Sequence, residues 1–125
     1  MEQNELLRTL DGASLAYLGD AVFELWVRER LIRGGVTHSG TLHTASHDYV
    51  TAKSQSAAFH RIEAELSEEE LAYFKRGRNS PHLSVPKSAS GAEYRTATGF
   101  ETLCAALWLD GKKERLFALL EKAFA

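Results

Sequence analysis

Apolar residues recur along this chain at the three-to-four-residue spacing of helix faces, and no stretch alternates apolar with polar long enough to make a half-buried strand. A first helix is predicted from Ser14 to about Arg33, stopped by Gly34-Gly35. A second is predicted from about Ser39 to Glu65, with Ala45, Val50, Ala57 and Ile62 turned inward. Ser67 is a good N-cap and Glu70 completes a capping box, so a short third helix should run to about Arg76. Residues 77–91 hold Pro81, Pro86, Ser80, Ser84, Ser88 and Ser90 and read as a loop. A fourth helix spans about Ala92 to Leu109, ending at Asp110-Gly111, and a fifth runs from Lys112 to about Phe124. The expected fold class is all-α.

Two of these helices lack an ordinary polar face. From Ser14 to Val27 the chain reads SLAYLGDAVFELWV, and at helical spacing its apolar side chains cover nearly the whole circumference. Residues 97–109, ATGFETLCAALWL, have the same character. Both helices should be central and buried. The acids of the first are Asp20 and Glu24, one turn apart on a shared face, and the acid of the second is Glu101. A buried carboxylate is costly unless it is paired, hydrogen-bonded or bound to a metal. Glu24 has Arg28 four residues on, in the favourable orientation. Asp20 and Glu101 have no such neighbour. If the two helices pack together, both acids face one cavity, where an all-oxygen donor set suits a hard cation such as Mg²⁺ or Mn²⁺. The structural alternative is that each acid emerges at a helix end or pairs with an arginine from another element.

Composition narrows the setting. The 125 residues are 44% apolar and 26% charged, enough for one globular core. A single cysteine, Cys104, excludes an intramolecular disulfide and a cysteine-cluster zinc site. It lies in the apolar run TLCAALWL and reads as a core thiol. The N-terminus lacks a secretory signal and no run is long enough to span a membrane, so a cytoplasmic protein is expected. The net charge of −2 argues against a basic coat but not against a local patch. Phe74-Lys75-Arg76-Gly77-Arg78-Asn79 is such a patch, with His82, Lys87 and Arg95 following; Lys53 and Arg61 are further candidates. Arginine suits phosphate through its planar fork, and Gly77 would allow close approach of a ligand. Taken alone, the patch is a solvated helix end. Beside a divalent cation it points to phosphodiester chemistry. His43 and His47 are one turn apart but lack the glutamate of a zinc-protease motif. Tyr17, Phe23, Trp26, Phe100 and Trp108 read as core or dimer packing.

Three runs then carry a resemblance. Residues 15–24, LAYLGDAVFE, resemble the signature helix of the ribonuclease III catalytic domain. Together with Arg76-Gly-Arg-Asn79 and Tyr94-Arg-Thr-Ala-Thr-Gly-Phe-Glu101, in that order, they are similar to its Mini-III branch, which consists of the catalytic domain alone. The resemblance implies one catalytic domain over 1–125 without a separate double-stranded-RNA-binding domain. It implies a homodimeric all-α endonuclease that hydrolyses double-stranded RNA with Mg²⁺ and leaves 5′-phosphate and 3′-hydroxyl ends. In that branch the implied substrate is the 23S ribosomal RNA precursor, with a ribosomal protein as a possible presenter of the site. Asp20 and Glu101 would hold the metal and carry catalysis. Arg76, Arg78 and Asn79, with Lys87, Arg95 and Lys53, would meet RNA, and Tyr17 would be a dimer contact. Two positions depart from the larger relatives: acids found there are Ala16 and Thr98 here. The alternative reading is therefore an inactive RNA-binding module on the same fold.

Overall fold

The computed structural model describes residues 3–81 and 90–125. Among them every regular element is helical: α1 (Gln3–Thr9), α2 (Gly12–Arg33), α3 (Ser39–Val50), α4 (Ala52–Ile62) with a short 3₁₀ turn (Glu63–Glu65), α5 (Glu68–Arg78), α6 (Gly91–Leu109) and α7 (Lys113–Ala123). The all-α expectation holds. Among the described residues no helix is long and apolar enough to cross a membrane.

The two apolar helices form the centre. α2 starts where the Asp11 carboxylate accepts the Ser14 N–H at 2.8 Å. α6 starts with a capping box between Ser90 and Glu93, and Gly111 follows it at φ +72°, a conformation that favours glycine. The expected Ser67–Glu70 box opens α5. α6 packs along α2 on one side and against α5 and α4 on others. Phe23 of α2 meets Phe100 of α6 edge to face, ring centroids 5.4 Å apart. Val27, Phe59, Ile62, Phe74, Leu103, Leu107, Leu116 and Leu120 complete the main core. Cys104 lies within it, and burial pushes its thiol far up, which suits a packing residue rather than a nucleophile.

Four expectations need correction. The helix expected over Ser39–Glu65 is two helices, because Thr51 is extended (φ −68°, ψ 153°) and its hydroxyl accepts the Ser54 N–H at 3.1 Å as the N-cap of α4. The break rephases the chain, so Ala57 is exposed while Ala58 and Phe59 are buried. An additional helix, α1, precedes α2; its buried Leu7 packs on Leu15, Ala105 and Ala106, an anchor too small to register as periodicity. Gly77 lies inside α5, not in a loop, and its bare Cα faces α6: a Cβ there would strike the Thr102 side chain and come within 2.9 Å of the Gly99 Cα. The close approach it permits is between helices. Finally, α2 is not buried all round, since Tyr17, Leu25 and Ile32 are exposed.

A partly buried ion pair ties α7 to α5. Glu70 is 7% exposed and accepts from Arg115 Nε and one terminal nitrogen, both at 2.9 Å, and from the Ser67 N–H at 2.9 Å. The Arg115 fork holds the Glu70 carboxyl below the usual carboxylate range. Because its folded value is depressed, this stabilisation is present above the ordinary value of 4.5 and fades as pH falls through the folded one. Arg115→Ala should cost about 2 kcal/mol near neutrality, less than a fully buried pair because the guanidinium is partly exposed. Denaturant titrations should show the gap to wild type narrowing on acidification; a gap independent of pH would disprove the coupling.

Candidate active site

Gly19 sets the geometry. A Cβ there would overlap the Glu101 carbonyl, so the α2 and α6 backbones touch at this point as no other residue type would allow. The buried Thr102 hydroxyl fixes the register, 3.0 Å from the Gly12 carbonyl of α2 and 2.8 Å from the Thr98 carbonyl of its own helix. Asp20, next to Gly19, therefore emerges beside Glu101. The expected pairing of the two acids is what the structure shows, with Asp20 exposed at the rim and Glu101 partly buried behind it.

The electrostatics follow from that placement. Burial and then the neighbouring Asp20 carboxylate push the Glu101 carboxyl up to about 9, against a smaller opposite pull from the Gln55 amide. Two like charges this close in a partly dry site do not both ionise without help, so Glu101 holds a proton at neutral pH in the metal-free protein. Glu24 adds a weaker push, although it is bridged to Arg28 at 3.4 Å as its spacing predicts.

The acids open onto two adjoining clefts. Ala13, Ala16, Tyr17 and Asp20 line one, His47, Lys53 and Gln55 the other, and Tyr94, Thr98 and Glu101 are common to both. Ala16 and Thr98, where larger relatives carry acids, are buried at this wall, and the Thr98 hydroxyl donates back to the Tyr94 carbonyl at 2.9 Å. Among the described residues no three Asp, Glu, His or Cys side chains converge as a closed metal cage. The donor set is two carboxylates, one needing an electropositive partner to ionise; on the adjoining cleft wall a buried side-chain oxygen, Gln55 Oε1, has no hydrogen-bond partner among the described residues. This fits a hard divalent cation that keeps most of its water. Asp20 and Glu101 are the residues that would hold it.

The cations expected at RNA separate on inspection. Lys53 lines the Glu101 cleft. Arg76 does not reach it: its guanidinium donates to the Leu7 and Leu10 carbonyls and stacks over Tyr73, clamping the α1–α2 connection. Arg95 braces the end of α5, donating to the Ser80 carbonyl at 3.2 Å and lying 3.4 Å from that of Arg78. Arg78 lies over Phe74, with its Nε donating to Asn79 Oδ1 at 3.1 Å. Lys87 and His82 lie outside the described residues. Tyr17, 86% exposed, stands at the mouth of the Asp20 cleft. Sequence reasoning missed Gln55, an amide in a helix of unremarkable polarity.

Comparison with known proteins fits this site. The ribonuclease III domain family matches residues 13–112, so the chain belongs to the ribonuclease III family and is an endoribonuclease of that class. Its relatives place it in the Mini-ribonuclease 3 branch. It is 44% identical to Mini-ribonuclease 3 of Symbiobacterium thermophilum over 92% of this chain and 88% of the relative. It is 41% identical to that of Brevibacillus brevis over 100% and 96%. A crystal structure of a Fusobacterium nucleatum protein superposes with a TM-score of 0.83 at 32% identity, covering 93% of each chain.

Gly19→Ala should separate α2 from α6, since neither backbone can yield locally. The alanine gains helix propensity of up to about 1 kcal/mol, but the overlap should outweigh it and lower stability by about 2 kcal/mol net. Nuclease activity should fall even where the variant remains folded. An unchanged melting temperature with full activity would show that the contact does not set the site.

Proposed function

We propose that this chain is a Mg²⁺-dependent endoribonuclease that cuts double-stranded RNA to 5′-phosphate and 3′-hydroxyl ends. The single observation that carries the reading is the forced juxtaposition of Asp20 and Glu101 in one cleft. The cation, when bound, supplies a nucleophile at neutral pH and stabilises charge on the phosphoryl group in an in-line displacement. Asp20 and Glu101 bind and orient it at the cleft floor. Lys53, on the cleft wall, attracts the phosphate backbone, and Arg78 and Asn79 extend that contact from the end of α5. Mn²⁺ has the same preference for oxygen donors and should substitute.

The branch that the motifs resemble implies the 23S ribosomal RNA precursor as substrate, within the cytoplasm, with a ribosomal protein as a possible presenter. Duplex RNA has two strands of opposite polarity, so cutting both calls for two sites related by a two-fold axis. The exposed Tyr17, Leu25 and Ile32 on α2 support a homodimer through that helix.

Incubated with a structured precursor duplex and Mg²⁺, wild type should cut both strands. Asp20→Asn and Glu101→Gln should fold and sediment like wild type yet lose at least about 100-fold in rate. Cutting that survives in both variants, or in excess EDTA, would overturn the assignment.

Metal binding has its own pH signature. The Glu101 value of about 9 lies above its ordinary 4.5, so the stability tied to its proton is complete below 4.5 and is lost as pH rises through 9. Mg²⁺ takes the place of that proton. Its stabilising effect in a thermal-shift titration should therefore be larger at about pH 8.5 than at about pH 5.5. Equal shifts at the two pH values would contradict a site built on Glu101.

A further inference from the structure

Gln55 is the polar group that the site's two acids leave unexplained. It is 2% exposed, in the first turn of α4, on the wall of the cleft that holds Glu101. Its placement is rigid. The Gln55 N–H donates to the Thr51 carbonyl at 2.9 Å, and the Thr51 hydroxyl caps the same turn through the Ser54 N–H. The side-chain amide nitrogen donates to the Val50 carbonyl at 3.3 Å. Its oxygen, Oε1, is buried and has no hydrogen-bond partner among the described residues.

An orphaned buried acceptor costs about 1–3 kcal/mol, and methionine or leucine would fill the same space without that penalty. Among the described residues nothing satisfies this oxygen, although the amide as a whole lies within hydrogen-bonding reach of Glu101. The neighbouring chemistry supplies a partner for it. Mg²⁺ takes roughly six ligands in an octahedron. Two carboxylates fill only part of that set, and the remaining waters point hydrogens outward that need acceptors. Nearby, Ala16 is apolar and offers none, and Thr98, whose hydroxyl donates to the Tyr94 carbonyl, offers only its hydroxyl lone pairs.

We infer that Gln55 is a positioning residue of the active site, whose free Oε1 accepts a hydrogen bond from the hydration shell of the divalent cation held between Asp20 and Glu101. The inference rests on the metal site proposed above. It makes the second cleft part of that site and gives α4 a role in it alongside α2 and α6. Gln55 touches neither the scissile bond nor, directly, the cation. It holds water in register, as residues behind metal ligands do elsewhere, where their loss costs roughly 10–100-fold in metal affinity.

The test measures Mg²⁺ binding to the full chain by isothermal titration calorimetry at about pH 8, with metal-free unfolding midpoints recorded for each protein. Gln55→Met removes donor and acceptor at similar volume and should weaken Mg²⁺ binding roughly 10–100-fold, without lowering the metal-free midpoint. Gln55→Glu keeps an oxygen acceptor of the same reach and should bind Mg²⁺ at least as tightly as wild type. The assignment is overturned if Gln55→Met binds Mg²⁺ like wild type. Should Gln55→Met fail to fold, Gln55→Glu decides alone, and weaker binding by that variant overturns it as well. A structural role would instead lower the metal-free midpoints of both and leave affinity unmoved. Asp20→Asn separates the two levels of argument. If it binds like wild type, the metal site itself falls. If it loses binding while Gln55→Met retains it, only the role of Gln55 falls.

Discussion

Everything specific to this site depends on one contact in which side chains are missing. At Gly19 the α2 backbone lies against the Glu101 carbonyl of α6, and nothing larger than hydrogen fits between. The same device is repeated nearby, where Gly12 lies against the end of α5 and Gly77 against Gly99. Close backbone approach brings more dispersion contact per residue than ordinary ridge-and-groove packing. It also removes choice: with α2 and α6 fixed this closely, Asp20 and Glu101 must emerge side by side. Packing free energy, spread over a core of aromatic and aliphatic residues, holds together two groups that electrostatics would separate.

That forced proximity divides the roles of the two acids. Asp20 sits at the solvent rim, whereas Glu101 is desolvated and faces a second negative charge. Without a metal a proton on Glu101 relieves the conflict, and a divalent cation would relieve it better. The arginines that join the helices do not relieve it. Arg76, Arg95 and Arg115 are bound to backbone carbonyls or to Glu70, and so serve the scaffold. A sequence with almost balanced charge thus spends much of its basic complement on joining helices. Among the described residues no lysine or arginine is bridged to Asp20 or Glu101, which leaves both available to a cation.

The sequence made the broad plan legible because the plan rests on strong local signals. Two helices apolar all round had to be central, and acids within them had to be explained. Ser67–Glu70 announced a helix start, and Ser90–Glu93 is a second box of the same kind. Other features rest on tertiary facts that a single sequence does not display. Thr51 breaks a long polar-and-small stretch by capping, which looks the same in sequence as a threonine inside a helix. The Arg76-Gly77-Arg78-Asn79 run read as a ligand loop because glycine and arginine favour phosphate sites. In the fold the glycine serves helix contact and the first arginine an N-terminal clamp. Gln55 was invisible for the opposite reason, since its importance lies in the absence of a partner, and only coordinates show that.

One helix also links the site to the surface. Asp20 and Tyr17 are on α2 within a turn of each other, and both line the cleft that ends at Glu101. Leu25 and Ile32 continue the exposed apolar face toward the C-terminal end of the same helix. Beside it α3 has no fully buried residue, so the neighbouring surface is only half formed by the chain's own core. A second copy seated on that face would cover Tyr17 and close one wall of the cleft, removing water from around Asp20. Lower local polarity strengthens the attraction between the carboxylate pair and a cation. Dimer formation and metal affinity would then be coupled through α2, with neither complete in an isolated subunit.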